Sequence, residues 1–241
     1  MEINPNAKPR GKIAIIAKHP FYIEDIRAEL LSLNLQIISG SEISQIQRNI
    51  DNGEIFDYVF FPHYSSMIST EFLEQQKCIG FHTGDLPNDR GGSPIQNKIL
   101  RGEYLTSISG LILTKEVDAG DILCQESISL EQGSIDELLR NISKVIAKLI
   151  KLILTNNLTP IAQISTGSKH QRLKPQASEL KIEDLSLRQI YDRIRMLDGL
   201  DYPRAYIEIG QHRIYLSNAE LRDNILKFTS ELEEKNSADS K

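Results

Sequence analysis

The sequence predicts an α/β fold, Rossmann-like, with a mostly parallel sheet, helices on both faces and a small C-terminal helix and β-hairpin subdomain. Three observations carry this reading. Four short apolar runs, at residues 12–17, 35–39, 57–61 and 78–81, alternate with helical patterns across the first hundred residues. The run at 12–17 is apolar without alternation, which suits a parallel strand buried on both faces. After residue 178 the pattern changes to one amphipathic helix and two alternating segments around Gly210 and Gln211.

Residues 1–11 read as a flexible lead-in, and KIAIIA at 12–17 is the first strand. Lys18-His19-Pro20-Phe21 follows it where a dinucleotide-binding fold would carry G-x-G-x-x-G, so the βα unit is present without that fingerprint. His19 reads as a turn residue before Pro20. The spacing of Ile23, Ile26, Leu30, Leu31 and Leu33 predicts a helix over 22–33. Residues 35–39 form the second strand, and Ile43, Ile46 and Ile50 mark a short helix. DYVFF at 57–61 is the third strand, closed by Pro62. The fourth, 78–81, delivers His82 to the carboxyl edge of the sheet, where folds of this class place reactive groups.

A helix is predicted over 93–101, with Pro94 in its first turn and Gly102 ending it. Residues 106–113 alternate as a strand and lead into an acidic turn at 116–121, then another strand to about Leu130. Ser134 and Glu137 form a capping box for a long helix with an apolar face from Ile135 to Ile153. Residues 160–175 look like loop or extended chain. A helix opens at Ser186 and a hairpin covers 205–217. The expected divisions are 1–177, 178–227 and a polar, flexible tail at 228–241.

A chain of 241 residues suffices for one sizeable α/β core and a small appendage. Its net charge of −5 argues against a broad nucleic-acid surface, because phosphate neutralisation needs clustered Lys and Arg. Cys78 and Cys124 lie in apolar runs and read as buried thiols without metal-ligand spacing. No membrane partner is expected, since no apolar run is long enough to span a bilayer; the expected location is the cytoplasm.

Chemistry concentrates in FHTGDLPNDRGGSPIQN at 81–97 and VDAGDIL at 117–123. The imidazole of His82 can hold or release a proton near neutral pH. A carboxylate at Asp118, 36 residues later, can orient that ring or accept a proton itself. Arg90, Gly91 and Gly92 precede a helix N-terminus and form a donor-rich loop suited to a phosphate or carboxylate. A tight turn held by an arginine ion pair is the alternative.

The run H-x-x-D-L-P-x-x-R-G-G-S-P-I-Q-N resembles the active-site signature of the folate-dependent formyltransferases, and residues 118–121 resemble that family's Asp-x-Gly-Asp turn. The version here most resembles the sugar N-formyltransferases of amino-sugar pathways and the related formylation domains of peptide synthetases. The resemblance implies N10-formyltetrahydrofolate as formyl donor, no metal, and a nucleotide-linked amino sugar as acceptor. A carrier-bound amino acid and methionyl-tRNA are alternative acceptors, the tRNA disfavoured by the acidic charge. A formyl-folate hydrolase and a non-catalytic binding module are the readings from other classes.

The resemblance further implies catalysis by His82 and Asp118. It implies a pteridine site at Phe61, Pro62, His63, Tyr64, Ile68, Val117 and Asp121. It implies an acceptor site at Arg90, Gly91, Gly92, Ser93, Gln96 and Asn97, joined by Arg195, Tyr202 and Arg204. One departure stands out: the family carries an asparagine two positions before the histidine, and this chain has Gly80. Loss of one oxyanion donor typically costs about 100- to 1,000-fold in rate unless it is replaced. Thr83, Asn88, Ser93 and Asn97 are the nearest candidates to replace it. The C-terminal hairpin is a candidate homodimer or substrate surface.

Overall fold

The computed structural model describes residues 11–164, 168–199 and 201–235. Residues 1–10 of the lead-in expected over 1–11, and the end of the expected tail, 236–241, lie outside the described residues. In chain order the elements are β1 (Lys12–Ile16), α1 (Pro20–Leu30), β2 (Gln36–Gly40), α2 (Ile43–Asp51), β3 (Tyr58–Phe61), α3 (Thr70–Gln75) and β4 (Cys78–Thr83). Next come β5 (Asp89–Gly91), α4 (Pro94–Leu100), β6 (Leu105–Ile112), β7 (Ile122–Ser129), α5 (Ile135–Thr155) and β8 (Ser168–His170). The chain closes with α6 (Leu187–Arg195), β9 (Ala205–Ile209), β10 (His212–Arg222) and β11 (Ile225–Glu234). Two compact units interleave along it. One comprises the chain up to Gly91, Thr106–Ile128 and Arg140–Lys169; the other comprises Gly92–Leu105, Ser129–Leu139 and the chain from His170.

The first unit carries a six-stranded sheet in the order β2-β1-β3-β4-β6-β7. β1 runs parallel to β2 and β3, β3 runs parallel to β4, and β6 is antiparallel to β4. The α/β architecture and the mostly parallel sheet are therefore as the sequence predicts. The chain leaves β1 outward to β2 and returns past it to β3, so its direction switches at the carboxyl ends of β1 and β3. That is where open α/β sheets leave a crevice.

β1 is buried on both faces, which is why its run is apolar without alternation. Ala14 and Ile16 join Ile46 of α2, Phe72 of α3, Phe61 and Cys78 in one cluster. On the opposite face Gly110 approaches both Phe81 and Ile153 of α5. α5 is tied to α1 by Ser143 Oγ donating to Asp25 (2.6 Å) and by the Lys151–Glu29 pair (2.9 Å). Side chains alternate along a strand, so Gly80 and His82 share the face of Cys78 while Phe81 looks toward α5.

In the second unit α6 packs with β10, and the three-stranded sheet runs β11-β10-β9. Two expectations are corrected here. Residues 228–234, read as tail, belong to β11, whose register against β10 includes Leu232 with Ile214 and Glu234 with His212. The strand is held by its ladder rather than by burial, and nearly all its side chains are exposed, so composition could not reveal it.

The division near residue 177 is also not where the compact units part. Arg195, only 1% exposed, donates to Asp192 (2.7 Å) and to the carbonyls of Gly133 (3.0 Å) and Leu130 (2.7 Å). Asp192 accepts as well from the Tyr104 hydroxyl at 2.5 Å and from Arg188 at 3.0 Å. These bonds tie α6 to segments far earlier in the chain, which is why the second unit recruits residues 92–105 and 129–139.

Candidate functional site

His82 sits near the carboxyl end of β4 with 8% of its surface exposed. Its Nε2 lies 2.6 Å from the carbonyl oxygen of Asp89. That carbonyl is brought back by the loop after β4. The Leu86 N–H donates to Gly84 O, and the N–H groups of Asn88 and Asp89 both donate to Asp85 O. Gly84 permits the return: a Cβ there would lie 2.6 Å from His82 Nε2 and 2.8 Å from Asp89 O.

Asp118 lies in the turn between β6 and β7 at φ +56°, a left-handed conformation that aspartate and asparagine adopt more readily than other non-glycine residues. Its Oδ1 is 3.4 Å from His82 Nδ1, and its Oδ2 accepts the Gly91 N–H at 3.0 Å. Burial opposes ionisation of this carboxyl. The His82 ring, the Gly91 N–H and the Arg90 guanidinium outweigh it and hold the group below the usual carboxylate range. Both ring nitrogens of His82 thus face acceptors. A neutral imidazole has one proton to give, and only the imidazolium can donate to both. The pair can orient a ring, stabilise a cation and pass a proton at the rim of the sheet.

Gly80 marks the departure noted in the sequence. It is paired on both sides, to Phe61 and to Leu111, and a Cβ there would lie 2.5 Å from Cδ2 of Leu113. Leu113 fills the space that an asparagine side chain would need. Of the candidates to replace that side chain, Asn97 donates to Gly92 O (2.9 Å) and Gln171 O (3.4 Å), and Ser93 Oγ accepts the Leu173 N–H (3.1 Å). Gly80→Asn should lower the unfolding free energy by about 1–3 kcal/mol through overpacking. In urea titrations the Gly80→Asn, Leu113→Ala double variant should be more stable than the summed single losses imply, since the two side chains compete for one volume.

The expected pteridine loop leaves β3 at its carboxyl end. Phe61 and Pro62 are buried, and His63 turns the chain at φ +49°. The His63 ring stacks on Tyr22 with centroids 5.9 Å apart, while Tyr64 and Ile68 pack half-buried against the core cluster. Flat aromatic faces beside a half-buried apolar wall fit a bicyclic heterocycle. In the 116–121 turn Val117 is 46% exposed, and Asp121 is exposed with its carbonyl accepting the Ile112 N–H.

The residues expected to meet the acceptor are not all open to it. The Gly91 N–H serves Asp118, and the Gly92 N–H donates to His170 O at 3.0 Å. Gly92 must be glycine because a Cβ would lie 2.7 Å from the Arg172 backbone. The donor-rich loop therefore spends these donors within the chain. Gln96 is buried, donates to Met196 O (3.4 Å) and hydrogen-bonds Tyr202. Burial, opposed by that bond, pushes the Tyr202 hydroxyl upward. Arg204 pairs with Glu231 (2.8 Å) and stands over the Tyr215 ring. Arg195, assigned by its motif to the acceptor side, is enclosed in the network of α6; its structural pairing is with Asp192, while Asp198 accepts the Asn218 N–H.

One residue beside the pair carries no signal in the sequence. Gln163, in the segment read as loop, accepts from Arg90 Nε (3.2 Å) and Nη2 (2.8 Å) and donates to the carbonyls of Asp118 (2.9 Å) and Gly120 (2.7 Å). Its neighbourhood lacks periodicity, so no local pattern could single it out.

Among the described residues no cluster of three His, Cys, Asp or Glu could hold a metal ion, and no helix is long and apolar enough to cross a membrane. Residues 39–150 match the family model described as formyl transferase, and residues 175–232 match that of the methionyl-tRNA formyltransferase C-terminal domain. The methionyl-tRNA formyltransferase of Mesoplasma florum is 32% identical over 80% of this chain and 63% of its own. The chain thus spans less than two thirds of that relative's length. A solved methionyl-tRNA formyltransferase from Clostridium thermocellum is 33% identical over 93% of this chain and 99% of its own, with a TM-score of 0.82. A sugar N-formyltransferase from a Shewanella species superposes with a TM-score of 0.64 over 88% of this chain and 99% of its own, at 18% identity, a likeness of fold alone. With a Clostridium relative matched from end to end at this identity, the chain belongs to the formyltransferase family.

Proposed function

We infer that the protein moves a formyl group from N10-formyltetrahydrofolate to a primary amine, with His82 and Asp118 as the reacting pair. The observation that carries this reading is the meeting of the imidazole and the carboxylate at 3.4 Å on the sheet rim, 36 residues apart in sequence. The folate supplies the one-carbon unit. The loop at 61–68 holds its ring, and the pair takes the proton that the amine loses as the new C–N bond forms and returns it to N10 as the old C–N bond breaks. The lowered Asp118 carboxyl is a weak base, so Asp118 acts as the fixed anion that orients His82 and stabilises its cation. His82 is then the group that carries the proton.

Methionyl-tRNA is the acceptor that the relatives favour, because the Mesoplasma and Clostridium proteins, at 32% and 33% identity, bear that name. The amino-sugar nucleotide expected from the signature keeps one observation in its favour, the net charge of −5, which suits a small acceptor better than a polyanion. Purified protein mixed with formyl-folate and either methionyl-tRNA or a panel of nucleotide-linked amino sugars decides between them. Release of tetrahydrofolate with formylated methionyl-tRNA supports the first; a gain of one formyl mass on a sugar, with none on the tRNA, supports the second. Formate release without any amine would replace both with a hydrolase.

A further inference from the structure

We propose that Gln163 is a positioning residue for the His82–Asp118 pair, fixing the 118–120 turn against Arg90 and Gly91 so that the Gly91 N–H stays aimed at the Asp118 carboxylate. The role in catalysis rests on the function proposed above; the placement itself does not. A side-chain amide offers two acceptor sites and two N–H donors at one end, and Gln163 uses all four. Its oxygen receives the Arg90 guanidinium through Nε and Nη2, and its nitrogen donates to the carbonyls of Asp118 and Gly120. One group thus links the residue before Gly91 to the residue whose carboxylate Gly91 serves.

The turn it holds is tightly constrained. Asp118 is left-handed at φ +56°, and Gly120 lies so close to the Ile112 carbonyl that no Cβ could be placed there. The segment bearing Gln163 is anchored independently, because the backbone of Ile161 exchanges two hydrogen bonds with Ile122 of β7, at 2.8 and 2.9 Å. Removing the amide should therefore loosen the turn without detaching the segment. Filling of space alone would be served equally by any side chain of this length, whereas positioning needs donors and acceptor together.

Gln163→Met keeps the volume and removes every polar contact. Gln163→Glu keeps the bond to Arg90 but turns a second anion toward two carbonyls. The first measurement is the titration of the Asp118 carboxyl by 13C NMR in the full chain, assigned by the signal lost in Asp118→Asn. Both variants should titrate at higher pH than the wild type: Gln163→Met releases both Arg90 and the 118–120 turn, and Gln163→Glu keeps Arg90 but releases the turn, so that the Gly91 N–H no longer sits where it favours the ionised form. The second is formyl transfer. kcat should fall about 100-fold, with the KM for formyl-folate little changed, as expected for a misplaced reacting group. Thermal unfolding identifies a variant that fails to fold, and the other then decides. An Asp118 titration that stays at its wild-type position in a folded variant overturns the proposal, whether or not formyl transfer is observed. A wild type that transfers formyl to no amine overturns the functional reading and leaves the NMR result to judge the placement.

Discussion

Asp118→Asn should lower kcat for formyl transfer by about 1,000-fold or more while the protein remains folded and its KM for formyl-folate changes little. The substitution is nearly isosteric, and the amide oxygen can still accept the Gly91 N–H that Oδ2 accepts at 3.0 Å. The amide nitrogen then faces His82 Nδ1, where a carboxylate oxygen stood at 3.4 Å. A donor in that position makes Nδ1 an acceptor and leaves the single ring proton on Nε2, toward Asp89 O. The ring is locked neutral and in one tautomer, and no anion remains to favour its cation. Steady-state kinetics at saturating donor check the rate. An Asp118→Asn variant within tenfold of the wild type would remove the carboxylate from the chemistry.

The same carboxylate gives a pH signature whose direction is fixed. Its folded-state value is depressed, so its contribution to stability is fully present above the unfolded value and is lost as pH falls through the folded one. The stability gap between wild type and Asp118→Asn should accordingly be widest near neutrality and close in acid. Denaturation at neutral pH and below the usual carboxylate range reads this out.

Much of this arrangement is legible in the sequence because its signals are local or carried by a motif. The runs at 12–17 and 57–61 are continuous because β1 and β3 are buried on both faces. The capping boxes at Ser134–Glu137 and Ser186–Gln189 announce their helices with side chains three residues apart. His82 and Asp118 stand out only because the residues around them form a recognisable signature.

What was not legible depends on distance along the chain. Gln163 meets partners 43 to 73 residues away, and two of the groups it serves are backbone carbonyls, which no residue type announces. Arg195 looked like a ligand group because an exposed arginine and a buried one have the same letter; its partners at 130 and 133 appear only in the fold. The acceptor is harder still. The signature describes the formyl-handling end of the site, which tRNA-directed and sugar-directed proteins need alike, so preference for either must come from surfaces that the motif does not encode.

His82→Gln should also reduce kcat, by about 100- to 10,000-fold, the range in which a positioned proton carrier acts. Glutamine can donate to Asp89 O and face Asp118, so the packing around an 8% exposed site is largely kept, but an amide cannot take up a proton. The two contacts of the ring are unequal. The Nε2 contact to Asp89 O is short at 2.6 Å, whereas the Nδ1 contact to Asp118 is 3.4 Å, longer than a well-made hydrogen bond. The proton on Nε2 is therefore held by the loop, and the exchangeable one belongs on the Nδ1 side, beside the more exposed carboxylate. An amine reaching this edge meets Nδ1 and Asp118 together, without displacing the Asp89 carbonyl. Nitrogen-15 NMR of the wild-type ring should find a proton on Nε2, bonded to the loop carbonyl of Asp89. A ring protonated on Nδ1 alone would contradict the geometry, and His82→Gln turning over like the wild type would show that the imidazole only packs.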